Sequence, residues 1–244
     1  MIERTMIAEG GKTVYGATIG ILMLETRFPR IPGDMGNALT WPFPVLYRTA
    51  RGATPDLVVR RKAEGLLDAF IAAGREMVAD GADGITTTCG FLSLMQAELA
   101  EALGVPVATS SLMQAPMIQR LLPPGRRVGV LTISKESLVP EHLSRIGVAA
   151  DTPVWGTEGG TEFTRVILDD EPRLDVEAAR ADLAGAARDF QAAHPDLGAI
   201  LLECTNMMPY AADVRRVTGL PVFSIRSFVC WFQSALAPAR FPDP

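Results

Sequence analysis

The sequence predicts an α/β protein made of two pseudo-symmetric lobes, each a short, mainly parallel sheet flanked by helices, with the active site in the cleft between them. Three observations predict this. Short apolar runs alternate with segments of helical spacing along the chain, which implies parallel strands joined by right-handed crossovers. The strands are apolar throughout, as when helices cover both faces of a sheet. The chain also repeats itself. Asp83-Gly-Ile-Thr-Thr-Thr-Cys89 and Gly198-Ala-Ile-Leu-Leu-Glu-Cys204 each close on a cysteine, and each is followed at the same interval by a second apolar piece, Val105-Pro106-Val107 or Leu220-Pro221-Val222.

The elements follow in order. The first strand is Tyr15 to Leu24, and its Gly20-Ile-Leu-Met-Leu-Glu25 resembles Gly129-Val-Leu-Thr-Ile-Ser134 in the second half. A long loop from Glu25 to about Asp56 is punctuated by five prolines, from Pro29 to Pro55. Leu57 to Ala79 has helical spacing, with Leu66, Phe70 and Met77 among its apolar positions. Strand Gly84–Thr88, helix Phe91–Leu103, strand Val105–Thr109 and helix Leu112–Leu122 follow, and Pro123-Pro124-Gly125 breaks the chain. The second half begins with strand Arg127–Ile133, helix Glu136–Ile146 and strand Pro153–Gly156, then a polar bend, Thr157 to Thr161. A helix from Asp175 to about Ala193, strand Ala199–Glu203, helix Pro209–Thr218 with Gly219 at its end, strand Val222–Ile225 and an apolar helix Ser227–Leu236 complete it. The expected lobes are residues 1–111 with 226–244, and 112–225. The last helix is expected to return to the first lobe.

Composition narrows the function. Hydrophobic residues make up 48% of the chain, enough for a packed core. The net charge is −5 with no basic stripe, which argues against nucleic acid as a partner. No apolar run approaches the ~20 residues of a membrane span, and the opening residues lack the apolar centre of a signal peptide, so the expected location is the cytoplasm, with no membrane partner. Three cysteines without a CxxC pair make no disulfide framework. His142 and His194 lie in polar, helix-edge contexts and are expected to face solvent, and no metal site is expected. There is no phosphate-binding glycine loop, and no lysine stands where pyridoxal phosphate would need one.

The chemistry lies at the strand ends. In open parallel sheets, ligands bind beyond the carboxyl ends of the strands. Cys89 and Cys204 occupy such ends, just before helices, whose first N–H groups lower a thiol's pKa and attract anions. Cysteine is also a common buried filler; two at equivalent strand ends favour function. Cys230, in Phe228-Val-Cys-Trp-Phe232, reads as core or subunit interface, and the apolar last helix is compatible with a homodimer or higher homo-oligomer. The loop after the first strand can reach over the cleft. Arg27 or Arg30 can pair with a substrate carboxylate, and Asn37 can donate to it. Trp41 and Phe43 either wall the cleft or anchor the loop.

Thr88-Cys89-Gly90, with Leu202-Glu203-Cys204-Thr205-Asn206-Met207, resembles the aspartate/glutamate racemase superfamily, which includes glutamate, aspartate and hydantoin racemases, maleate isomerases and arylmalonate decarboxylases. The resemblance extends from about Tyr15 to Ile225. It implies a cofactor-independent racemase or epimerase of a small carboxylic or amino-acid-like substrate, with Cys89 and Cys204 as two acid/base thiols on opposite faces of a carbon. It also implies that Thr88, Gly90, Thr205 and Asn206 line the site, and that Glu25-Thr26 stands where glutamate racemases show Asp-Ser. The chain departs from the amino-acid racemases at Cys89-Gly90-Phe91, where they carry Cys-Asn-Thr, and at Cys204-Thr205-Asn206, where they often carry Cys-Thr-His or Cys-Thr-Glu. Alternatives on the same scaffold are a maleate-type cis-trans isomerase, a malonate decarboxylase, or a non-catalytic binder of small carboxylates.

Overall fold

A computed structural model describes residues 8–242; part of the opening segment weighed above as a leader lies outside them. The described residues form two four-stranded parallel sheets. In the first, β1 (Ile19–Met23), β2 (Val45–Thr49), β3 (Gly84–Thr87) and β4 (Val107–Ala108) take the order β2-β1-β3-β4. In the second, β5 (Arg127–Thr132), β6 (Val154–Gly156), β7 (Leu197–Leu202) and β8 (Val222–Phe223) take the order β6-β5-β7-β8. The two orders are the same, and every pairing is parallel. In each lobe the order reverses beside the first strand, so the carboxyl ends of β1 and β3, and of β5 and β7, form the crevice where such sheets place ligands.

The α-helices are α1 (Leu67–Asp80), α2 (Gln96–Leu103), α3 (Ala115–Leu121), α4 (Pro140–Ser144), α5 (Phe163–Leu168), α6 (Val176–Ala193), α7 (Ala211–Thr218) and α8 (Ile225–Leu236). Among the described residues no helix is long and apolar enough to cross a membrane. The strands β1, β3, β5 and β7 are almost wholly buried, as helices on both faces require. Helix α8 packs back on the first sheet: Phe228, Val229 and Phe232 cluster with Ile19, Ile21 and Ala108, and a Cβ at Gly84 would lie 2.6 Å from a Leu236 methyl.

Four elements differ from expectation, each for a physical reason. The proline-rich loop contains β2, an edge strand paired only with β1 and half-exposed along its length. Pro42 and Pro44 precede it, where the missing N–H costs no ladder bond. The helix expected from Leu57 splits into a wide turn, Asp56–Arg60, and α1. Lys62 and Ala63 adopt positive φ between them, and Gly65 (φ 73°) turns the chain into α1. The helix expected over Glu136–Ile146 shortens to α4 because Pro140 sets its first turn. Helix α5 was unforeseen. Its amides and those just before it are held by Asp182 of α6, which accepts from Glu162 and Phe163 at 2.7 and 2.9 Å.

The histidines depart from expectation too. His142 is fully buried, edge-on to Phe91 with ring centroids 5.0 Å apart. His194 is half-buried against Trp155 and Phe190.

Candidate active site

Past the end of β3 the Thr88 amide still donates to Leu22 O, and past β7 the Glu203 amide donates to Leu131 O. Each sheet ladder therefore carries its cysteine two residues beyond the end of a central strand. Cys89 caps the 3-10 segment Gly90–Met95, which runs into α2; Cys204 caps the 3-10 segment Thr205–Tyr210, which runs into α7. The lobes are stitched together here: Thr205 Oγ1 donates to Thr88 O at 2.7 Å, and Ser111 Oγ donates to Leu202 O at 2.7 Å.

Both thiols are free, 8% exposed, and line one cavity with Thr88, Gly90, Glu203 and Asn206. Phe28, Val59, Ile133, Ile167 and Leu168 supply much of its apolar wall. The cavity holds about 20 Å³, room for roughly one water. Part of the cover is a latch between lobes. Asp170, in a left-handed conformation just after α5, accepts from the amides of Arg27 and Phe28 at 2.6 and 3.2 Å, and Arg60 pairs with Asp169 at 3.1 Å.

The structure thus gathers Cys89, Cys204, Thr88, Gly90 and Asn206 at the cavity, with Thr205 buried beneath as the stitch. The expected loop residues do not reach its lining; they hold the loop instead. Glu25 pairs with Arg51 at 2.8 Å and accepts from the Gly52 amide, which lowers its pKa. Arg30 donates to Asp34 at 2.9 Å and to Thr26 Oγ1 at 3.2 Å, with its guanidinium over the Phe28 ring. Asn37 caps a 3-10 turn and donates to Arg30 O. Trp41 anchors the loop, its indole N–H donating to Met35 O and its ring stacked on Phe43. Cys230 is half-buried on α8, packed against the cluster under the first sheet.

Electrostatics correct one expectation. The Phe91 and Leu92 amides pull the Cys89 pKa down and the Asn206 amide does the same for Cys204. Burial outweighs them, the Glu203 charge adds to it, and both thiols are pushed up. The two are not equivalent. Two amides and the Arg30 charge favour a Cys89 thiolate. Cys204 donates its S–H to Asn206 Oδ1 at 3.6 Å. That amide is held in orientation because its Nδ2 donates to the buried Asp34 carboxylate at 2.7 Å.

Sequence reasoning passed over Glu203. It is 1% exposed, and its Oε2 accepts from Thr132 Oγ1 at 2.8 Å. Burial raises its pKa to about 7. Its signal was present: a carboxylate closing an otherwise apolar strand, next to a cysteine. Gly90 makes room for it, since a Cβ there would collide with Glu203 Oε1 and with its carbonyl oxygen. The space that an asparagine side chain would need after the first cysteine is filled here by a carboxyl from the other lobe. Among the described residues no cluster of three or more His, Cys, Asp or Glu could hold a metal.

Two lobes of identical strand order, each delivering a thiol to one cavity, define the class, and solved structures agree. A variant of arylmalonate decarboxylase superposes with a TM-score of 0.61 over 93% of this chain and 96% of that one, at 18% identity. An aspartate racemase from Picrophilus torridus gives 0.58 over 93% and 96%, at 13% identity, and a glutamate racemase from Bacillus anthracis gives 0.55 over 91% and 84%, at 14%. The fold is that of the aspartate/glutamate racemase superfamily. No protein-family profile matches the chain. A dimethylsulfoniopropionate lyase from Durusdinium sp. clade D is 30% identical over 231 residues, 87% of this chain and 75% of that protein. Dimethylsulfoniopropionate lyase 6 of Emiliania huxleyi (strain CCMP1516) is 30% identical over 217 residues, 84% of this chain. The chain spans 56% of that protein's length, and 45% of lyase 5 from the same strain. The chain belongs to the dimethylsulfoniopropionate lyase family. These relatives are lyases, not the isomerases the resemblance implied.

Proposed function

We propose that the protein is a cofactor-independent lyase that eliminates dimethyl sulfide from dimethylsulfoniopropionate or a close analogue. The observation that carries this reading is the 30% identity with the Durusdinium lyase over most of both chains, in a chain whose cavity holds the chemistry an elimination needs. The substrate is a carboxylate with a sulfonium group on its β-carbon. A thiolate removes a proton from the carbon beside the carboxylate, and the electrons form the carbon–carbon double bond. The bond from the β-carbon to sulfur breaks, so that neutral dimethyl sulfide and acrylate leave. The amides that open the two 3-10 segments are suited to the enolate-like charge on the substrate carboxylate. The base is Cys89 in its minor thiolate form, reached by loss of the thiol proton to solvent and favoured over a Cys204 thiolate by the Phe91 and Leu92 amides and the Arg30 charge. Cys204 keeps its proton, because its S–H is bonded to Asn206.

The test is dimethyl sulfide release from dimethylsulfoniopropionate by the purified protein, read by headspace gas chromatography. Release by the wild type and its loss in Cys89→Ser are expected; no release by the wild type overturns the reading. A racemase is the second reading, favoured by the presence of two thiols on one cavity. It demands deuterium uptake from heavy water into a chiral acid with inversion of configuration.

A further inference from the structure

We propose that Glu203 is the specificity residue of the cavity and selects a positively charged onium group on the substrate. The inference rests on the lyase reading and names the group that reads its substrate. Among the described residues, Glu203 carries the sole carboxyl that lines the cavity, and no cationic side chain lines it. The nearby Arg30 is committed to Asp34 and Thr26. The rest of the wall is largely hydrocarbon, which suits the alkyl groups of an onium ion but leaves its charge unmet. A desolvated charge without a partner is costly, and an opposite charge in the same site removes that cost. Thr132 fixes one carboxylate oxygen, while the other lies against Gly90, where no side chain intervenes. Sequence agrees with geometry: the absence of a side chain at position 90 is what lets a carboxyl from the second lobe reach across to the first.

The chemistry follows. On elimination the onium becomes a neutral thioether, so its attraction to Glu203 is lost as the carbon–sulfur bond breaks. The residue therefore stabilises bound substrate more than the transition state and acts on KM more than on kcat.

The probes are two carboxylates of the same shape that cannot eliminate dimethyl sulfide, the zwitterion 3-(trimethylammonio)propanoate and the anion 4,4-dimethylpentanoate, which lacks the onium charge, with binding read by calorimetry. Wild-type protein is expected to favour the zwitterion by roughly tenfold or more. Glu203→Gln should reduce that ratio to about one while retaining binding of 4,4-dimethylpentanoate. Should Glu203→Gln fail to fold, Gly90→Ala, which pushes the carboxyl aside, should also reduce the preference. No preference in the wild type overturns the proposal, as does a preference that survives in whichever variant folds. Dimethyl sulfide release by the wild type is scored separately, so a failed lyase reading and a failed role for Glu203 give different results.

Discussion

A carboxyl with a folded-state pKa of about 7 against an ordinary 4.5 makes the stability of the fold depend on pH. Between those values the folded chain holds a proton that the unfolded chain releases, so stability falls as pH rises through the window. The contribution is fully present below the unfolded value and gone above the folded one. Glu203→Gln should therefore be more stable than wild type at pH 8, by on the order of 3 kcal/mol. The difference should vanish toward pH 4, as denaturant melts at both pH values can check. The thiols give a second prediction. Their raised pKa values and burial make Cys89 and Cys204 slow to alkylate at neutral pH, whereas the half-buried Cys230 is the more accessible. Mass-mapped iodoacetamide labelling should mark Cys230 first with activity retained, and activity should fall only as Cys89 is modified. The third concerns asymmetry. Elimination needs a base on one face, so Cys89→Ser should lose lyase turnover by roughly a hundredfold or more, and Cys204→Ser by clearly less. Equal losses would favour two-base chemistry.

At the scale of elements, the latch joins a loop of one lobe to the end of α5 in the other. Asp170→Ala removes the acceptor of two amides and leaves a β-carbon residue at φ 53° without the local compensation aspartate provides. A loss of about 2 kcal/mol is expected, with faster hydrogen exchange at the Arg27 and Phe28 amides; unchanged exchange would show that the latch does not hold the loop. This is also where the sequence was least legible. The strands that deliver the thiols could be read because they are central, apolar and repeated. β2 could not, because an edge strand half in solvent carries a weak pattern and its flanking prolines mimic a loop. α5 was hidden because Asp182, distant in sequence, supplies the acceptors for its first amides. The candidate site divides in the same way. Positions next to the cysteines were legible from spacing, while Glu25, Arg30 and Asn37 carried site-like chemistry that the fold spends on the loop itself. His142 read as polar surface and proved to be wholly interior because it packs on Phe91.

At the scale of the molecule, the two lobes share a floor of hydrogen bonds from Thr205 and Ser111, and α8 crosses from the end of the second sheet to cover the first. Phe232→Ala opens a hole under β1 and β3 and should cost about 3–5 kcal/mol, measurable as a lowered urea midpoint with an unchanged slope. The small cavity and its reluctant thiols have a further consequence. An alkene conjugated to a carboxylate is an electrophile, and an enzyme that makes acrylate makes an alkylating agent beside two sulfurs of its own. Thiolates attack such alkenes; thiols hardly do. Under the lyase reading proposed above, burial that holds Cys89 and Cys204 protonated between turnovers keeps their thiolate populations low, which would spare the protein alkylation by released acrylate.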